Sequence, residues 1–161
     1  QLMCVAVMAV ACVGMSGCSS SSSTAGKSNL DVLAVSPVSI VSRSAGSDEA
    51  FKDTGVYLVN DAQGLEKLGA SSLSELEIDF ASQSLIVLAQ GQQPSGGYWV
   101  HVTGVQQLGQ DIYVQGVANV PAEGATTQAL TYPYEAVVVA KVQGTIVPDI
   151  AQVTGQEHPA D

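Results

Sequence analysis

Gln83-Ser84-Leu85-Ile86-Val87-Leu88-Ala89-Gln90, then Gly91-Gln92-Gln93-Pro94-Ser95-Gly96-Gly97, then Tyr98-Trp99-Val100-His101-Val102-Thr103-Gly104-Val105: this stretch decides the fold. Leu85 to Leu88 is a continuous apolar run bounded by polar residues, the pattern of a central strand buried on both faces. A turn-rich loop holding Pro94 follows. The chain then alternates, with Tyr98, Val100 and Val102 on one face and Trp99 and His101 on the other. Gly109-Gln110 marks a tight connection. Asp111 to Ala118 reads as the hairpin partner, with Ile112, Val114 and Ala118 on one face.

Working outward, Val38, Ile40 and Val41 suggest a first strand and Val56-Tyr57-Leu58-Val59 a second. Asn60 reads as a helix N-cap with Gln63 three residues on. Leu65 and Leu68 follow at helical spacing and Gly69 can end the helix, which predicts a helix over Asp61 to Leu68. Ser74 to Asp79 alternates around Leu76, Ile78 and Phe80. Downstream, Tyr134 to Val142 reads as a strand dominated by Ala136 to Ala140, and Ile146-Val147 as a last one. The prediction is a mainly β domain with one short helix (α+β): about seven mostly antiparallel strands, sandwich- or barrel-like. Tyr98 is expected in its core, its hydroxyl reaching a backbone group.

The 161 residues point to one domain. Residues 1–17 are expected to be a lipoprotein signal peptide: Leu2 to Gly14 is apolar and uncharged, shorter than the roughly 20 residues a spanning helix needs, and followed by small residues. Met15-Ser16-Gly17-Cys18 resembles a bacterial lipobox, with methionine in place of the usual leucine. That resemblance implies a lipid on Cys18, a membrane attachment through it, and a place in the bacterial cell envelope outside the cytoplasm. Cys4 and Cys12 lie in the segment that would be removed, so no disulfide framework is expected. Residues 18–32 read as lipidated Cys and Ser-rich tether, 33–150 as the β-rich domain and 151–161 as a polar, frayed tail.

All fifteen acids and five bases lie after Cys18, and the formal net charge is −10. Such a field repels nucleic acid, and no basic stripe offsets it. Charged residues make up only 12% of the chain, so Ser, Thr, Gln, Asn and Gly must carry the surface. No catalytic residue, cofactor or metal is expected. His101 is the one histidine placed to act as a base, since His158 falls in the tail, and no G-x-S-x-G elbow accompanies it. Two distant histidines without free cysteine do not make a zinc site, and no calcium-loop pattern occurs. Gly91 to Gly96 has the first spacing of a phosphate loop, but Gly97 stands where lysine should be.

The run from Phe80 to Leu88 with Gly91 to Val100 resembles the PrcB C-terminal-domain family of protease-complex subunits. Asp79-Phe80 and Gly96-Gly97-Tyr98 fit its pattern. So do Pro121, Gly124, Thr126, Thr127 and Pro133-Tyr134-Glu135-Ala136-Val137-Val138-Val139. The resemblance covers about Leu58 to Lys141. It implies a membrane-anchored, non-enzymatic binding module, an accessory or stabilising subunit of a surface protease complex, with a surface protease or another envelope protein as partner. The alternative is an envelope lipoprotein binding a small ligand or glycan on Trp99, His101 and Tyr113. Candidate binding residues are Pro94, Gly96, Gly97, Trp99 and His101. Gly96 and Gly97 either simply permit a bend or shape a contact loop. Trp99 either stands exposed as an interface anchor or packs beneath the helix.

Overall fold

Two strands organise the molecule because they are apolar on both sides. β4 (Gln83–Gln90) and β7 (Pro133–Ala140) pair antiparallel, and in each a run of six or seven consecutive residues is buried. Alternate side chains therefore serve two separate cores. Ile86, Leu88, Val137 and Val139 face one way; Leu85, Val87, Tyr134, Ala136 and Val138 face the other. The computed structural model describes residues 34–122 and 128–159 of the chain. The expected signal peptide, Cys18, the expected tether, Gly124, Thr126 and Thr127 lie outside the described residues.

Around this pair, β2 (Ile40–Ser47) lies beside β7 and β3 (Thr54–Val59) beside β4, completing one sheet in the order β2-β7-β4-β3. A second sheet holds β1 (Ser36–Pro37), β5 (Trp99–Leu108), β6 (Asp111–Val120) and β8 (Thr145–Thr154) in the order β1-β5-β6-β8. Val100, Val102, Val105, Ile112 and Val114 pack from it onto Ile86, Leu88, Val137 and Val139. The opposite face of the first sheet is covered by Phe51, Leu73 and by α1 (Ala62–Leu68) through Leu65 and Leu68. The result is a sandwich with a third, partly helical layer, and not a closed barrel.

The expected class holds, with eight strands rather than seven. Pairing is antiparallel except that β8 runs parallel to β6. This strand continues to Thr154 because its whole length, from Thr145, pairs with Asp111 to Val120. The polar tail expected from residue 151 is therefore strand for its first four residues. The helix cap is Asp61, not Asn60: Asp61 Oδ1 accepts the Gly64 N–H at 2.6 Å. Asn60 instead accepts the hydroxyl of buried Ser84 through its side chain. Gly69 ends the helix as expected, with φ +66°. Ser74 and Glu75 lie in a turn and Leu76 to Asp79 forms no strand, and Leu76 and Ile78 pack on the outer core from there. Tyr98 precedes β5 and is half-buried; Tyr134 is the core tyrosine, 3% exposed, with its ring 4.8 Å from that of Phe51.

The connection after β2 is held by Asp48. Its carboxylate accepts the Ala50 N–H at 2.9 Å and both the Ser72 N–H and hydroxyl, at 3.2 and 2.7 Å. Partial desolvation pushes its pKa up, but these bonds together outweigh that and hold it below the usual 3.8. A carboxyl lowered by folding stabilises the native state above its unfolded pKa and loses that contribution as pH falls through the folded value. Asp48→Asn is therefore expected to lower the urea midpoint at about pH 6 and to shrink the midpoint's fall between about pH 5 and pH 2. Urea titrations across that range check it; parallel curves for the two proteins would contradict the assignment.

Candidate functional site

The site grows from a bulge. In the β5–β6 hairpin, Leu108 pairs with Asp111 and Gly104 with Gln115, but beyond Thr103 the register slips by one, so that Val102 meets Gly116 and Trp99 meets Asn119. An extra residue in one strand reverses which face its neighbours use. Val105 on one side of the bulge and Val102 and Val100 on the other thus all point into the core. Trp99 and His101 are left on the outer face of this sheet, directly beside Asn119. The helix covers the other sheet, so Trp99 does not pack beneath it.

The chain returns to this face after β8. Gly155, with φ +66°, turns it, and the Gly155 N–H donates to the Val120 carbonyl at 2.9 Å. The next peptide is gripped by two side chains. Gln156 N–H donates to Asn119 Oδ1 at 3.0 Å, and Trp99 Nε1–H donates to the Gln156 carbonyl at 3.0 Å. Asn119 is 1% exposed, and its amide is oriented by donating through Nδ2 to the Gly97 carbonyl at 3.1 Å. Two residues on, the His158 ring lies edge-on to Trp99 at 5.2 Å and to His101 at 6.1 Å. A pocket of about 280 Å³ opens beside these rings, lined by Ala45, Gly46, Tyr98, Trp99, Pro133 and His158 among others.

Beneath it lies an ion pair between a half-buried arginine and a buried carboxylate. Glu135 on β7 is 1% exposed, and Arg43 on β2 reaches it at 3.0 Å. Both also bond the backbone of Val102: Glu135 Oε2 accepts its N–H, and Arg43 Nη1 donates to its carbonyl at 2.8 Å. His101 Nδ1 stands 3.3 Å from Glu135 Oε1, but too far off line to share a proper hydrogen bond, and is otherwise buried without a partner. Arg43 and Val102 thus engage both carboxylate oxygens. A second cavity, of about 420 Å³, opens toward the opposite edge, between β3 and β8. It is lined by Val56, Leu88, Val100, Ala118 and Ile150, with Gln90 at its edge.

Of the residues singled out in the sequence, the structure brings together Gly97, Trp99 and His101. Pro94, exposed, and Gly96 sit on the same loop but do not line the pocket. That loop is pinned by the Gln93–Thr131 bridge and by Thr131 Oγ1 donating to the Ser95 carbonyl. Gly97, at φ +85°, supplies the bend into β5. Tyr113 pairs with Gln106, six residues along β6 from Asn119 and so roughly 20 Å away. The platform of Trp99, His101 and Tyr113 is not assembled. Sequence reasoning missed Asn119, Arg43, Glu135 and the tail. Glu135 carried a signal, an acid inside a continuous apolar run. Asn119 did not, because only the bulge places it opposite Trp99.

Residues 84–140 match the family described as PrcB C-terminal, which agrees with the resemblance read from the Gly96-Gly97-Tyr98 and Pro133-Tyr134 motifs. The match runs from β4 through β7. It contains Trp99, His101, Asn119 and Glu135, and leaves out Arg43 and the tail. Comparison with curated proteins and with solved structures gave no match.

Arg43→Ala strands the Glu135 carboxylate in the interior and is expected to cost about 3–5 kcal/mol of unfolding free energy. Replacing both, Arg43→Met with Glu135→Leu, should recover much of this. The recovery should stay incomplete, because the Val102 N–H and carbonyl lose their partners, at about 1–3 kcal/mol. Urea unfolding of the two variants checks both; a neutral Arg43→Ala would show that the pair does not close this edge.

Proposed function

We propose that this chain, which carries the PrcB C-terminal pattern over residues 84–140, is a lipid-anchored, non-enzymatic binding module of the bacterial cell envelope. It serves as an accessory or stabilising subunit of a surface protease complex. The observation that carries the reading is the family match itself, since it includes the strand and loop that present Trp99. The lipobox-like Met15-Ser16-Gly17-Cys18 and the serine run behind it support attachment to the membrane through Cys18. The chemistry of the site supports binding over catalysis. His101, half-buried, faces a carboxylate already engaged by Arg43 and Val102, and its Nδ1 has no hydrogen-bond partner among the described residues. The contact surface is the face around Trp99, His101 and Tyr98. Large, stiff aromatic side chains there contribute contact area at low entropic cost, as anchors at interfaces do.

The test is capture of the full-length, lipidated chain from cross-linked native membranes, with mass spectrometry of what accompanies it. The expected outcome is a reproducible protease partner, recovered at least several-fold less with Trp99→Ala, which should leave the unfolding midpoint of the domain little changed. No protein partner would overturn the accessory-subunit reading. A partner recovered equally by both forms would move the interface away from Trp99.

A further inference from the structure

We infer that the Trp99–Asn119 face is a binding site for an extended peptide segment, and that the chain's own residues 156–159 occupy it in this structure. The inference rests on the binding role proposed above for the same face. Its ground is what the two side chains read. Asn119 Oδ1 accepts the N–H, and Trp99 Nε1–H meets the carbonyl, of one and the same residue, Gln156. That pairing recognises main chain, which every residue except proline offers. The reading groups are held by groups other than the occupant: Asn119 Nδ2 donates to the Gly97 carbonyl, and Trp99 sits opposite it on a paired strand.

The occupant is held lightly. Gln156, Glu157, His158 and Pro159 are all exposed, and the described contacts to the face are two hydrogen bonds and the edges of one ring, His158, on Trp99 and His101. Segments with few buried contacts open at small free-energy cost. The fit is also incomplete, since the pocket of about 280 Å³ beside Trp99 is bordered, not filled, by His158. Finally, the reading groups lie inside the family-matched stretch and the occupant lies outside it. The ligand class that follows is an extended peptide: one non-proline residue in the clamp, then, two residues on, a side chain larger or more apolar than imidazole. Its binding in trans requires the tail to leave.

Trp99 is the chain's only tryptophan, so its fluorescence reports the face directly. The experiment uses the full chain and the same chain stopped after Gly155, which keeps β8 and the Gly155–Val120 bond. The probes are synthetic peptides of residues 154–159, as they stand, with His158→Phe, and with Gln156→Pro. Stopping the chain should shift Trp99 emission to the red, and the first peptide should reverse the shift saturably. The Phe peptide should bind several-fold tighter, and the Pro peptide should not bind. The full chain should bind roughly tenfold more weakly than the stopped one, because its competent state is only fractionally populated. Should the stopped chain fold poorly, the full chain with His158→Ala, a change at an exposed ring, should gain affinity for the Phe peptide. Unchanged emission in the stopped chain, no binding, or equal binding of the Pro peptide would each overturn the inference. Failure here with successful protease capture would remove the peptide clamp alone. Peptide binding without capture would remove the protease role and keep the clamp.

Discussion

The structure depends on how the open edge of β5 is closed. β1 pairs with β5 only at Gln106 and Gln107, so among the described residues the strand has no backbone neighbour on that side along its first half. Val102, fully buried there, would leave both an N–H and a carbonyl without partners in a dry interior. No third strand supplies them. Glu135 and Arg43 do, reaching across from β7 and β2. An ion pair buried for its own sake is a weak source of stability. This one also completes the backbone bonding of a strand and joins the two sheets at their edge. It thereby fixes where the start of β5, with Trp99 and His101, stands relative to Pro133 and Tyr134.

The layers followed from patterns of residue type. The run Leu85 to Leu88 was legible as a buried central strand, Ala136 to Ala140 as the body of another strand, and the hairpin around Gly109-Gln110 as a pair. Period-two alternation and turn chemistry are local signals, and they carry through to the sandwich. What the sequence hid was non-local. The parallel pairing that extends β8 to Thr154 joins residues with no shared turn. The bulge at Thr103 is flanked by Gly104, but a glycine within a strand signals a bulge without saying which way the register slips. Alternation counted from the turn would set Trp99 opposite Val120, and only the slip sets it opposite Asn119. The tail looked frayed because its residues are polar, but its hold on the face comes from main-chain atoms, which carry no sequence signature.

The same contrast separates the two cavities. The one between β3 and β8 is walled by side chains that belong to the inter-sheet core, and its polar rim is Gln90, whose Nε2 already donates to the Asn119 carbonyl. It is the flared mouth of the sandwich. The pocket at Trp99 is built from a loop, two strand starts and a returning segment, elements whose relative positions a side-chain network must hold. Sites of recognition are usually placed on such loops over a rigid scaffold. Here the scaffold is the β4–β7 pair, and the network is Arg43, Glu135 and Asn119.

This arrangement also bears on what the acidic balance of the chain can do. With a net charge of −10, long-range attraction would favour a basic partner surface and raise its encounter rate. At the Trp99 face, however, the only buried acid is already paired with Arg43, and the grip on the chain is through neutral donors and acceptors. Specificity at this face would then come from backbone geometry and ring packing, and charge would act on approach. A surface organised in that way tolerates varied side chains at the clamped residue while demanding an extended, non-proline main chain.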